Sequence, residues 1–409
     1  MLKKKLNTAK TLLSRFIKRL WLVLSEGILR ILPYKRNRIV FSSFIGKNYS
    51  CNPRAIYEYL LHHYGDRFAY VWLFDYAKDP EIPPIVSEHA KCVQTESLRC
   101  KYYKATSGFW VFNHRNISYF HKKKGQFYLQ TWHGDLGFKA LDGGIYPQSA
   151  ASHNAYVRKC LVDSSMIDAI LSGSDWGANM MRHSFYCPET EIWVCGYPRT
   201  DFLLHPGQSD AYASVRERYG LRDQVKICLY APTFRQGFQI NELIFADGQN
   251  RFEQIMQALQ HRFGGEWVIF MRVHPACLQL EKTKHYAFGA YVIDASAYPD
   301  MQDLLVAADA FISDYSSASF EFALTRKPCW LYTVDWNEYK KHTKTVLELS
   351  EVRLDTCMSF SQLLEAIENF NETDYCANVD RMLREFGSHE TGTASQFVAE
   401  KFVRILEQQ

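Results

Sequence analysis

The chain has 409 residues, 47% of them apolar and 15% aromatic, so it is globular rather than disordered and too long for one ordinary core; two domains are expected. Its net charge of +4 hides an asymmetry: residues 1–40 carry eleven Lys and Arg against the single Glu26, which is +10 and leaves −6 for the remainder. That distribution excludes a nucleic-acid surface spread over the body and points to a local anionic partner.

Residues 1–36 read as an amphipathic, membrane-associating segment. Leu12, Leu13, Phe16, Ile17, Leu20, Val23 and Leu24 recur at helical spacing with Lys and Arg opposite them, the pattern of a helix lying on an anionic lipid surface. A helix packed on its own domain has the same spacing. Arg15, Lys18, Arg19, Glu26 and Arg30 interrupt every window of the roughly 20 apolar residues that a spanning helix needs. The run 20–24 is too short for a signal peptide's apolar core. Eleven scattered cysteines without a CxxC pair suggest neither a disulfide framework nor a zinc site, and fit a reducing cytosolic compartment.

From residue 37 the pattern alternates short apolar strands with helical segments. Strands are expected over 39–42, 68–74, 108–112, 128–131 and 169–172, with helices over 54–63 and from a cap at Ser174 or Asp175 to 184. After the turn 196–201 a second set follows, with strands over 225–230, 267–273, 291–293, 311–313 and 329–332 and helices near 252–261 and 301–307. The tail from 359 is helical in pattern, and its last helix, about 394–406, is expected to fold back on the first domain. Strands separated by helices imply right-handed crossovers and parallel sheets. The fold class is therefore α/β, two Rossmann-like domains over 37–200 and 201–409 facing each other across a cleft.

In such sheets ligands bind beyond the carboxyl ends of the strands, and four polar clusters fall there. His133 and Gly134 follow one strand; Thr233 and Arg235, His274, and Asp314 to Ser317 follow three others, and Arg272 lies near the end of the strand before His274. The turn 314–317 precedes a helical stretch, so its backbone N–H groups and the hydroxyls of Ser316 and Ser317 form a phosphate-sized array of donors. Alternatively a serine merely caps that helix, with Glu321 completing a capping box whose spacing is off by one. His133 suits proton abstraction from an attacking hydroxyl, although any one of fourteen histidines can equally be structural. His274, Arg272 and Arg235 suit phosphate oxygens. Together these groups provide what displacement at phosphorus requires, a base and donors for the developing charge. Neither a Walker A sequence nor a Gly-rich dinucleotide fingerprint is present, and no compact carboxylate cluster suggests a metal cage, so no cofactor and no dedicated metal are expected.

Five segments, Gly46-Lys-x-Tyr-Ser-x-Asn-Pro-Arg-Ala-Ile-Tyr57, Gln130-Thr-Trp-His-Gly134, Gly196-Tyr-Pro-Arg-x-Asp201, Tyr230-Ala-Pro-Thr-x-Arg235 and Ser313-Asp-Tyr-Ser-Ser317, resemble in their order the CDP-glycerol glycerophosphotransferase family of teichoic acid primases and polymerases and related capsule enzymes. The resemblance spans roughly residues 37–335. It implies a GT-B architecture with an acceptor domain and a CDP-donor domain, a CDP-glycerol or CDP-ribitol donor, a polyprenyl-diphosphate-linked acceptor, and a peripheral place on the cytoplasmic face of the membrane. It puts the catalytic base on His133, the pyrophosphate contacts on Arg235, His274, Ser316 and Ser317, and a contact to the donor's polyol on Glu321, where the family commonly has Asp. Gly134, Thr233, Arg272 and Asp314 are supporting residues. The family's Thr-Pro-Leu-Lys after His-Gly is replaced here by Asp135-Leu-Gly-Phe-Lys139. The reading that competes within enzymes is a GT-B glycosyltransferase using a nucleotide sugar, and outside them a non-catalytic membrane-associated scaffold.

Overall fold

The computed structural model describes residues 27–408 apart from 30, 118–119, 147, 234–248 and 274–290. Most of the basic N-terminal segment, and with it the expected amphipathic helix, lies outside the described residues.

Two parallel sheets form the frame. The first comprises β1 (Lys35–Ser42), β2 (Ala69–Phe74), β3 (Ala90–Gln94), β4 (Ser107–Phe112), β5 (Phe127–Gln130), β6 (Ala169–Ser172) and β7 (Glu191–Val194), in the order β3-β2-β1-β4-β5-β6-β7. The second comprises β8 (Val225–Tyr230), β9 (Glu266–Met271), β10 (Val292–Asp294), β11 (Ala310–Ser313), β12 (Cys329–Tyr332) and β13 (Asp355–Cys357), in the order β10-β9-β8-β11-β12-β13. Every paired strand is parallel, as helical crossovers require. Central strands such as Ser-Gly-Phe-Trp-Val-Phe of β4 are buried along their whole length, because helices cover both faces.

Alternate residues of the first sheet feed two cores. Phe41, Trp72, Phe109 and Leu171 pack with Ile56 and Leu60 of the helix Cys51–Tyr64 and with Val398 and Phe402 of the helix Ala394–Gln408. Val40, Trp110, Tyr128 and Ile170 pack on the other face with Tyr103, Met181 and Phe185. The chain's final helix thus lies on the first domain, the Phe402 ring tilted against that of Phe109 with centroids 4.7 Å apart.

Strand order reverses between β1 and β4 in one sheet and between β8 and β11 in the other, which opens a crevice at the carboxyl ends of each pair. Across the gap between the domains runs the loop after β5. Its Phe138 is fully buried in the core of the second domain, edge-on to Tyr315 at 6.0 Å and Trp336 at 5.5 Å and against Phe320 at 5.8 Å. Lys139 then bridges Thr345, with Ala140 N–H donating to the Lys344 carbonyl and Val346 N–H to that of Phe138. Removing a buried phenylalanine ring costs about 3–5 kcal/mol, so Phe138→Ala should lower the unfolding free energy by roughly 3 kcal/mol in urea titrations. A loss under about 1 kcal/mol would show that the loop is not anchored by this ring.

Candidate active site

His133 sits one turn beyond β5, and its surroundings fix both its tautomer and its place. Its Nδ1 lies 2.8 Å from the Asn113 carbonyl at the end of β4, and since a carbonyl only accepts, Nδ1 carries the proton and Nε2 keeps a lone pair. The ring stacks on Trp132 at 4.1 Å and lies 5.4 Å from Phe44, while the Asn113 side chain accepts from Phe44 N–H at 2.8 Å. Burial pushes the His133 pKa down to about 4, with a smaller contribution from the positive charge of Arg199. The imidazole is therefore neutral at neutral pH.

The turn that presents this ring is strained. Trp132 has φ +47° and Gly134 φ +119°, and Phe44, Ile45 and Cys51 nearby also take positive φ. Asn52 Nδ2 donates to the carbonyls of Thr131 (3.3 Å) and Trp132 (3.0 Å), and Arg199 Nη2 donates to that of His133 at 2.7 Å. Three successive carbonyls are thereby bonded. Asp135 is buried next to them, accepting from Ser172 Oγ (2.5 Å) and Gly173 N–H (2.8 Å) at the start of the helix Asp175–Ser184, which Ser174 caps. Burial raises its pKa against those bonds.

The second domain meets this turn at Ser317. A methyl group added to Gly134 would lie 3.0 Å from Arg199 Nη2, 3.3 Å from Ser317 Oγ and 3.4 Å from Glu321 Oε1, so only glycine fits there. Gly134, Asp135, Ser317, Glu321 and Glu390 all line one small cavity between the domains. Ser316 Oγ accepts from Ala318 N–H at 3.2 Å, whereas Ser317 makes no side-chain cap to the helix Ala318–Ala323, and the capping box does not form. Glu321 instead pairs through Oε1 with Arg199 and accepts through Oε2 from Gln302 Nε2 at 2.5 Å. With both oxygens engaged and the side chain buried, a contact from Glu321 to a donor polyol would have to be added to, or exchanged for, these bonds.

Asp314, buried at the end of β11, accepts from Thr233 N–H at 2.9 Å and Thr233 Oγ1 at 2.5 Å, tying the loops after β8 and β11 together. Arg272 is turned to its own domain, donating to the Tyr298 carbonyl at 2.8 Å. Arg235 and His274 lie outside the described residues. Thus the fold brings His133, Gly134, Ser317 and Glu321 to one place and Thr233 and Asp314 together at the ends of β8 and β11, while Arg272 bonds the Tyr298 carbonyl instead.

Sequence reasoning missed Asn113, Asn52, Arg199 and Phe138 as contributors. Asn113 follows a predicted strand, as His133 does, and Arg199 stands inside a quoted segment; those positions were the available signals. Among the described residues no group of three or more His, Cys, Asp or Glu could hold a metal, the cysteines are unpaired, and no helix is long and apolar enough to cross a membrane.

Residues 26–404 match the family model of CDP-Glycerol:Poly(glycerophosphate) glycerophosphotransferase. The chain is 28% identical to a teichoic acid poly(glycerol phosphate) polymerase of Bacillus spizizenii over 383 residues, covering 92% of this chain and 94% of that one. It is 28% identical over 406 residues to a teichoic acid glycerol-phosphate transferase of Staphylococcus aureus, covering 96% and 98%. Among solved structures, a variant of the wall teichoic acid polymerase TagF soaked with CDPG superposes with a TM-score of 0.77 at 25% identity, covering 97% of this chain and 96% of that one.

The local environment of the ring makes a direct prediction. In an NMR pH titration of the free protein, with His133→Ala to assign the signal, the His133 ring should stay neutral from pH 8 down to about 5 and protonate only near 4. Titration near the ordinary histidine value of about 6.5 would mean that water reaches the ring freely.

Proposed function

The chain belongs to the CDP-glycerol:poly(glycerophosphate) glycerophosphotransferase family, and on that premise we propose a reaction path for its site. The enzyme transfers glycerol phosphate from CDP-glycerol to a hydroxyl of a polyprenyl-diphosphate-linked saccharide or growing teichoic acid polymer. In GT-B fashion the first domain receives the acceptor and the second the donor.

The observation that carries this reading is the His133 ring, held as the Nδ1–H tautomer by Asn113 on a turn that touches Ser317. His133 Nε2 takes the proton of the acceptor hydroxyl, whose oxygen attacks the phosphorus bearing the glycerol. The bond from that phosphorus to the bridging oxygen breaks, and CMP departs with the electron pair. Ser316, Ser317, Arg235 and His274 hold the diphosphate and the charge that grows on the leaving group, while Asp314 and Thr233 shape the loop beside them. A bound diphosphate places negative charge near a ring whose pKa burial has depressed, and so raises its proton affinity when the donor is in place.

The eleven basic residues within 1–40 support a peripheral place on the cytoplasmic face of the membrane, where the lipid-linked acceptor lies. Each Lys or Arg near an anionic surface contributes about 1 kcal/mol.

A general base is worth roughly 10²–10⁴ in rate. His133→Ala should therefore lower kcat by about that factor with CDP-glycerol and a synthetic lipid-linked acceptor, while calorimetry finds donor affinity nearly unchanged. Retained turnover would remove His133 as the base. CDP-ribitol and nucleotide sugars assayed in parallel identify the donor by which of them releases nucleotide. Because protein cations carry the phosphate charge in this scheme, activity should persist in excess EDTA, and complete loss there would assign part of that charge to a metal.

A further inference from the structure

Where the two halves of the site meet, one ion pair takes part that the reaction path above does not use. Arg199 stands in the turn 196–201 of the first domain and is 8% exposed. Its backbone N–H donates to Asn52 Oδ1 at 3.0 Å, and its Nη1 donates to Cys51 Sγ at 3.3 Å. Its Nη2 reaches forward to two acceptors at once, the His133 carbonyl at 2.7 Å and Glu321 Oε1. Glu321 belongs to the short helix that follows Ser316 and Ser317, and Gln302 holds its other oxygen.

One guanidinium nitrogen therefore joins the main chain of the base to the helix that carries the serines. Each end is braced from behind. Glu390 accepts from Tyr197 N–H at 3.1 Å and Thr200 Oγ1 at 2.5 Å, fixing the turn around Arg199. Gln302 follows Asp300, which accepts from Cys51 N–H at 3.1 Å and from Arg54 at 3.2 Å.

We propose that Arg199 and Glu321 are positioning residues: an inter-domain strut that sets the separation of the His133 ring from the Ser316/Ser317 turn, with Glu321 serving this pair and not the donor's polyol. The inference rests on His133 being the base. A displacement of about 1 Å between reacting groups can lower a rate about a hundredfold without weakening binding. Removing either member of the pair should thus act on kcat and spare donor affinity.

The test is a double-mutant cycle of Arg199→Met, Glu321→Gln and the two combined, with kcat at saturating donor, KM for the lipid-linked acceptor, and calorimetric Kd for CDP-glycerol. The expected result is a loss of roughly ten- to a hundredfold in kcat for each single variant, a donor Kd within about twofold of wild type, and a double variant no slower than the worse single one. The double variant removes both buried charges together, so it folds even where a single change leaves an unpaired charge; thermal melting checks this, and its kcat and Kd then decide alone. The strut is refuted if Glu321→Gln raises the donor Kd tenfold or more, which would make Glu321 a polyol ligand, if the single losses multiply, or if kcat is unchanged. His133→Ala, run alongside, separates the two ideas: turnover retained there removes the base, whereas turnover lost there and kept in the double variant removes only the strut.

Discussion

The loop 131–140 belongs to both domains, so the place of His133 relative to Ser317 is set by packing on each of them. It leaves β5 in the first sheet, turns through left-handed Trp132, sets Gly134 against Ser317, buries Asp135 on one domain and plants Phe138 in the core of the other. A residue held at positive φ costs about 1–3 kcal/mol, and such residues persist where surrounding bonds over-determine them. Here the bonds are countable: Asn52 and Arg199 take three consecutive carbonyls, and Asn113 takes the ring itself. A hinge through this loop would have to extract a buried aromatic ring before His133 could move away from Ser317.

Charges buried at the same boundary follow one pattern, with arginines from the first domain facing carboxylates at helix starts of the second. Arg199 meets Glu321, and Arg54 meets Asp300 and Asp303 at 3.2 Å and 2.8 Å. Desolvation of a buried ion pair offsets much of its Coulomb energy, so neither pair explains why the domains adhere; the ring of Phe138 and the backbone bridge at Lys139 do that more directly. What the ion pairs add is direction. Burial raises the Asp303 pKa to about 6 even beside Arg54, and it raises that of Glu321 against the pull of Arg199. Both carboxylates are thus held where solvent would not hold them, and their geometry is specified by the partner.

The legible part of the sequence was the part buried on two faces. The apolar runs of β1, β2, β4, β5, β6, β8, β11 and β12 announce themselves, and with them the strand ends on which His133, Thr233 and Asp314 stand. The strands Ala90–Gln94, Glu191–Val194 and Asp355–Cys357 were not read, because each is a sheet edge, short and half exposed, with residues such as Lys91, Glu191 and Asp355 interrupting the apolar signal. The strand expected over 267–273 ends at Met271, which moves Arg272 from strand to loop. Site residues were legible only where chemistry and position coincided. Phe138 read only as part of a departure from the family's loop after His-Gly, since its partners Tyr315, Phe320 and Trp336 are about 180–200 residues away; nothing local distinguishes a phenylalanine that packs on its own domain from one that packs on another. Glu321 read as a polyol contact or part of a capping box because its ion-pair partner, Arg199, is 122 residues away in sequence.

That remoteness also explains why six residues, Gly196 to Asp201, carry so much. Gly196 sits at φ +86° with the Glu390 carboxylate 2.9 Å from where a side chain would begin, Tyr197 is buried in the first core, Arg199 reaches the site, and Asp201 accepts from Ala394 N–H (3.1 Å) and Ser395 N–H (2.8 Å) at the start of the final helix. The chain crosses the domain boundary again between 388 and 394, where His389 N–H bonds the Gly173 carbonyl beside Asp135. Two crossings, one bearing His133 and one returning to cap the first sheet, are therefore stitched to the same short turn. The final helix is in this way joined, through Asp201 and the turn 196–201, to the carbonyl of His133.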